Sequence, residues 1–195
     1  MKHGRGLALF VVVLLCAAAI PCAGGPRLAD LHGHLAIGFA HLSSSDTTTT
    51  PGGSLSVGGG LDYPIGRGLR AGVDVGYHLL GSRTLVQGSL SSGLDYSMFE
   101  ALAMLHWSPG GRGPQLVVSG GPGLFAARAD LAATAVGAAF SPQAIGQTRA
   151  GLGLGLTVTR RRVTPVRVGL EAGLRIVPLE ATTWTLVTAR IAMLY

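Results

Sequence analysis

The chain has 195 residues, 48% of them hydrophobic and 12% charged, with 31 glycines and a mean hydropathy of +0.46. The charged fraction is about half that of a typical soluble domain and the glycine content more than double. Yet after the N-terminal segment no uncharged run is long enough for a transmembrane helix, because Gly, Pro, Ser or Gln interrupts each one. Of the 15 basic residues, Lys2 and Arg5 belong to that segment, leaving 13 against 9 acidic. The 13 are dispersed except for Arg160, Arg161 and Arg162, with no interleaved aromatics, which argues against nucleic-acid binding.

Lys2 and Arg5 precede an apolar core from Leu7 to Leu15 and then small residues up to Ala23, Gly24 and Gly25. This is the layout of a secretory signal peptide. We expect residues 1–24 to be that peptide, cut after Gly24, and residues 25–195 to be one domain. Pro21 and the glycines end the apolar run short of the ~20 residues a membrane-spanning helix needs. Both cysteines, Cys16 and Cys22, lie in this segment, so the mature chain would have no thiol for a disulfide, a catalytic step or a metal site. A lipidated Cys22 is disfavoured by Pro21.

From there the sequence alternates with the period of two that marks strands. The first strand, Leu31 to His41, sets Leu31, Leu35, Ile37 and Phe39 against His32, His34, Ala36, Gly38 and Ala40. After a Ser/Thr-rich loop the second, Ser54 to Tyr63, sets Leu55, Val57, Leu61 and Tyr63 against Ser54, Ser56, Gly58, Gly60 and Asp62. A tight turn follows at Pro64 to Gly68. The third, Leu69 to Leu79, sets Leu69, Ala71, Val73, Val75, Tyr77 and Leu79 against Arg70, Gly72, Asp74, Gly76 and His78.

A loop is expected from Gly81 to Ser92. The fourth strand, Leu94 to Trp107, sets Phe99, Ala101, Ala103, Leu105 and Trp107 against Glu100, Leu102, Met104 and His106. In the fifth, Gln115 to Phe125, Pro122 and the adjacent glycines predict a bent or broken strand. The connection Ala126 to Gln147 reads equally as a loop, a hairpin extension or a helical turn. The sixth, Arg149 to Thr159, alternates leucine with glycine, a pattern suited to a crowded lumen. The seventh, Val166 to Val177, and the eighth, ending Val187, Ala189, Ile191, Met193 and Tyr195, repeat the rule.

Eight strands of about 10 to 12 residues are long enough to cross a ~25 Å apolar band at a tilt near 40°. The turns at Pro64–Gly68, Ser108–Pro114 and Arg160–Pro165 fall on one side and most longer connections on the other. Tyr63, Trp107 and Tyr195 would form one aromatic girdle, Phe39 and Tyr77 the other. The fold class expected is all-β: a transmembrane, antiparallel, up-and-down β-barrel of about eight strands, with ten as the alternative count and a soluble sandwich as the alternative architecture. The terminal alternation ending on Tyr195 resembles the C-terminal strand of Gram-negative outer-membrane β-barrels, in which a final aromatic serves as the signal for the barrel assembly machinery. The whole pattern resembles the small outer-membrane barrel family that includes outer membrane protein X and the membrane domain of outer membrane protein A. The resemblance implies an outer-membrane location, contact with membrane lipids and lipopolysaccharide, and a monomer. It is carried by pattern rather than by a signature motif, and no peptidoglycan-binding domain follows.

The lumen parity collects Asp62, Arg70, Asp74, Glu100, Arg149, Arg167, Glu171, Arg175 and Arg190. Enclosed charges must be paired. Hairpin geometry puts Asp62 opposite Arg70 and Glu171 opposite Arg190, and brings Asp74 close to Glu100, which would demand an arginine from across the lumen or a shared proton. An ionic core that fills the barrel is favoured over a gate. His41 with Ser43, Ser44, Ser45 and Asp46 loosely resembles the rim residues of lipid A-modifying barrels but lacks an oxyanion donor. His32 and His34 read as lumen packing rather than metal ligands. No catalytic residue, metal or cofactor is therefore expected. A structural or surface-interaction role comes first, and a narrow channel for small hydrophobic molecules, resembling outer membrane protein W, second.

Overall fold

A computed structural model describes residues 30–44, 53–87, 90–110, 114–135, 138–139, 143–160, 166–180 and 182–195. The expected signal peptide, residues 1–24, lies outside them. The chain forms eight long strands: β1 (His32–Ser44), β2 (Gly53–Gly66), β3 (Leu69–Gln87), β4 (Leu90–Trp107), β5 (Gln115–Ala135), β6 (Gln143–Thr159), β7 (Arg167–Pro178) and β8 (Thr183–Leu194). A two-residue strand, Ala138–Ala139, pairs with the tip of β5. Every long strand runs antiparallel to its neighbours, and β1 pairs with β8, so the sheet is a closed up-and-down barrel. Following the partners once round the barrel advances the register by about ten residues, which tilts the strands near 40°.

The two faces differ sharply. On β1, Phe39 is 74% exposed while its neighbour Ala40 is 1% exposed. Leu35, Ile37, Leu61, Leu105, Leu152, Leu154, Val168, Leu170 and Ile191 all point outward and exposed. Apolar exposure on that scale around a closed sheet is the outer wall of a barrel that sits in hydrocarbon.

The strands run longer than the sequence pattern predicts at one end. The expected loop from Gly81 to Ser92 is instead the upper part of a hairpin, in which β3 and β4 stay paired as far as Gln87↔Leu90. A register shift between Leu79 and Ser82 interrupts the alternation there, and Gly81 takes φ +87°, a conformation side chains other than glycine rarely adopt. That bulge masks the strand in the sequence. Of the three readings of Ala126 to Gln147, the hairpin extension is the one observed, since β5 and β6 pair up to Leu131↔Gln143.

Nor is β5 broken at Pro122. Its register with β6 passes through Pro122↔Leu152 without a shift, while on the β4 side pairing lapses between Leu102↔Gly123 and Leu105↔Gly120. The missing proline donor is absorbed as a gap in one ladder.

The other end is short and tight. Gly68, at φ +69°, turns the chain from β2 to β3, and its carbonyl accepts the Ser108 N–H at 2.7 Å. At the same end Gly33 and Tyr195 exchange two backbone hydrogen bonds, 2.9 and 3.0 Å, which fasten the seam between β1 and β8. The Tyr195 ring lies over Gly33, where an added Cβ would come within 2.6 Å of it. Gly33→Val is expected to displace the ring and destabilise the barrel by about 1–3 kcal/mol. Urea titration of the refolded barrel, followed by the gel mobility of its folded form, measures the loss; an unchanged midpoint would show that the ring's seat is immaterial.

Candidate functional site in the lumen

Inward-facing residues stack in three layers. Toward the long-hairpin end the layer is apolar: Leu42, Leu80, Met98, Phe125, Val177 and Leu186 are each fully buried, and Tyr96 meets Trp184 edge to face at 6.4 Å. They come from six of the eight strands and fill the cross-section. Trp184 and Leu186 share the parity of Thr188 and Arg190, so this layer continues the lumen face that carries charge lower down.

The middle layer is ionic. Arg175 reaches across the lumen and donates to Glu100 through Nε at 2.8 Å and Nη2 at 3.1 Å, and to the Leu154 carbonyl through Nη1 at 2.8 Å. Both side chains are almost fully buried. Arg190 faces Glu171 directly across the β7–β8 ladder and donates to Oε1, from Nε at 3.1 Å. Two glycines make room: a Cβ at Gly58 would lie 2.6 Å from Arg190 Nη1, and one at Gly76 would lie 2.8 Å from Glu100 Oε1. The glycine-rich lumen face thus provides the space in which long charged side chains cross.

Ser56, His78 and Glu100 line up beside this pair. Ser56 Oγ lies 2.9 Å from His78 Nδ1, and His78 Nε2 lies 3.4 Å from Glu100 Oε1. These are the residue types of a nucleophilic relay, but all three are sealed inside the wall, and Glu100 is already committed to a guanidinium. A nucleophile needs space for its substrate and donors for the developing oxyanion. The arrangement reads as packing that satisfies buried polar groups.

In the lower layer Asp62 pairs with Arg70 at 3.3 Å, from positions diagonal across the β2–β3 ladder rather than directly opposite as counting from the turn predicts, because the register shifts between Pro64 and Gly66. Asp74 lies between His34 Nε2 at 3.7 Å and His106 Nε2 at 3.8 Å. The two imidazole rings meet edge to face at 6.2 Å. Together with Glu171 and Arg175 these residues line an internal cavity of about 30 Å³, enough for about two water molecules. Asp62 Oδ1, Asp74 Oδ1 and His106 Nε2 have no hydrogen-bond partner among the described residues, which makes this the wettable part of the lumen.

The nine charged residues of the lumen parity therefore divide. Asp62, Arg70, Asp74, Glu100, Glu171, Arg175 and Arg190 come together inside the barrel. Arg167 bonds Gln115 near the short-turn end, and Arg149 bonds Glu180 at the long-hairpin rim, both apart from that group. Asp74 and Glu100 do not share a partner: Glu100 takes the arginine from across the lumen, Asp74 the two histidines. Sequence reading placed Ser56, His34, His78 and His106 on the lumen parity, and His34 as packing, but did not join them to the charged group; the available signal was a histidine on lumen parity within reach of a carboxylate. Of the rim grouping, His41 and Ser43 face outward and Ser44 Oγ bonds Thr182 Oγ1 at 2.8 Å; Ser45 and Asp46 lie outside the described residues. Among the described residues no group of three or more His, Asp or Glu is arranged to hold a metal ion.

No family model matches the chain, and no curated protein matches it in sequence. Solved structures do match in fold. Ail, the attachment invasion locus protein of Yersinia pestis, solved in complex with the heparin analogue sucrose octasulfate, aligns at TM-score 0.56 and 11% identity, covering 85% of this chain and 99% of that one. Neisserial surface protein A aligns at TM-score 0.52 and 16% identity over 84% of this chain and 96% of its own. A major outer membrane protein from Thermus thermophilus aligns at TM-score 0.50 and 11% identity, over 84% and 98%. The chain has the fold of the small eight-stranded outer-membrane barrels.

Proposed function

We propose that the protein is a monomeric integral outer-membrane barrel, exported by a signal peptide, whose role is structural and surface-interacting rather than conductive or catalytic. The observation that carries this reading is the pairing of a filled lumen with a raised hairpin wall. The apolar layer closes the outer half of the barrel, and β4 and β5 remain paired up to Leu90↔Ala135, whereas β1 and β2 part at His41↔Gly53. β3 to β6 thus stand above the rest of the rim and present the surface a partner outside the cell would meet first. Membrane lipids and the barrel assembly machinery, through Tyr195, are the other partners this reading requires.

Two experiments test it. Shortening the β3–β4 hairpin by joining Ser82 to Asp95 through a two-residue turn should leave heat-modifiable gel migration intact and abolish attachment of expressing cells to whatever surface the wild type adheres to. Undiminished attachment would remove the hairpin from the function. In planar bilayers both the wild type and Glu171→Gln should be silent. Stepwise current in either would favour the second reading, a narrow channel whose apolar layer moves aside for a small hydrophobic molecule.

A further inference from the structure

The outer wall is not uniform. Gly59 occupies an outward-facing position on β2 between Leu35 of β1 and Val75 of β3, and leaves a gap in the row of side chains. An added Cβ there would lie 2.6 Å from the His34 carbonyl, so close backbone approach requires the glycine and the depression follows from it. The result is an apolar groove of about 650 Å³, bordered by Leu35, Val57, Leu61, Val73 and Val75, running from Tyr195 at the short-turn end to Tyr77 and Phe99 at the other.

Tyr77 and Phe99 also border a second hollow, of about 410 Å³, higher on the wall. The register explains the join. Tyr77, Phe99, Ala126 and Thr148 are partners in one row across β3, β4, β5 and β6, and one step outward lie Ser97, Arg128 and Gly146. The upper hollow is therefore floored by two aromatic rings and small residues and walled by Ser97, Arg128 and Thr148. Arg128 donates to Asp130 through Nε, at 2.9 Å to each carboxylate oxygen, and through Nη2 at 2.8 Å, and among the described residues this leaves Nη1 for a further acceptor.

An apolar groove at hydrocarbon depth, continuous past an aromatic pair with a polar hollow holding a guanidinium, is the shape of one lipid seen from the protein. We propose that this wall is a binding site for a phosphorylated, acyl-chain lipid of the outer leaflet. One acyl chain lies in the Gly59 groove, Tyr77 and Phe99 pack at the neck, and a headgroup phosphate takes Arg128 Nη1 with hydroxyl contacts from Ser97 and Thr148. Asp130 holds the guanidinium in place and tempers its charge, so the lipid's grip comes from chain and headgroup together. The inference rests on the outer-membrane reading and gives one of its lipid contacts a defined place on the wall.

The test is native mass spectrometry of the refolded barrel in detergent, titrated with phosphorylated lipid A and, in parallel, with its dephosphorylated form. Wild type should retain the phosphorylated lipid more strongly. Arg128→Ala should weaken that retention by about fivefold and leave the dephosphorylated form unaffected. Val75→Trp, which fills the groove from a lipid-facing position, should weaken both. Equal retention by wild type and both variants, each shown to be folded by heat-modifiable migration, overturns the site and leaves the barrel reading standing. A wild type that never acquires heat-modifiable migration overturns both.

Discussion

Glu100→Ala is expected to destabilise the folded barrel by about 3–5 kcal/mol, the largest loss from any one charged residue of the lumen. Arg175 would keep its bond to the Leu154 carbonyl but lose both carboxylate contacts, and it is only 2% exposed, so its charge would be stranded. His78 Nε2 would lose its carboxylate neighbour at the same time. Glu100→Gln should cost less, because an amide oxygen still accepts one of the two guanidinium bonds. The double variant Glu100→Leu with Arg175→Met should recover most of the loss, since an apolar pair leaves no unpaired charge behind. Urea unfolding in lipid vesicles reads all three. If the double variant is as unstable as Glu100→Ala, the pair contributes more than mutual neutralisation.

Phe125→Ala should come second, at about 3–5 kcal/mol. Its ring is fully buried in the apolar layer, and a Cβ at Gly151 on β6 would lie 2.9 Å from it, so the wall already touches the ring and gains nothing by closing in. The vacated space lies between Glu100 and Arg149, the ladder partners of position 125, but Leu42, Leu80, Met98, Val177 and Leu186 of the same layer still occupy the cross-section. The variant should therefore unfold earlier and still pass no ions. A current through Phe125→Ala would mean that water enters the layer once one ring is gone, and that the outer half is a latch rather than a filled core.

The fold was legible because hydrocarbon on one side and a narrow lumen on the other impose opposite demands on successive residues. β6 shows it most clearly, with Leu152, Leu154 and Leu156 outward and Gly151, Gly153 and Gly155 inward. The local hairpin pairs were legible for the same reason: Glu171 and Arg190 share a ladder, so counting from the turn finds them. What could not be counted was anything that crosses the lumen. Arg175 meets Glu100 from three strands away, and no turn relates the two. The apolar layer stayed hidden for another reason. Leu80 lies beside the bulge at Gly81, where parity is lost, and Trp184 and Leu186 begin a strand whose alternation becomes clear only from Val187.

The seam between β1 and β8 has a kinetic consequence. Every other pairing among the eight strands joins neighbours in sequence and can form as a hairpin soon after its residues meet. The seam joins the first strand to the last, so it has by far the longest loop to close and must form late. Until then two rows of unpaired backbone groups would face a medium with no water to satisfy them. A bilayer therefore disfavours the open sheet, and Gly33 and Tyr195 close the last hydrogen bonds at the short-turn end of the seam.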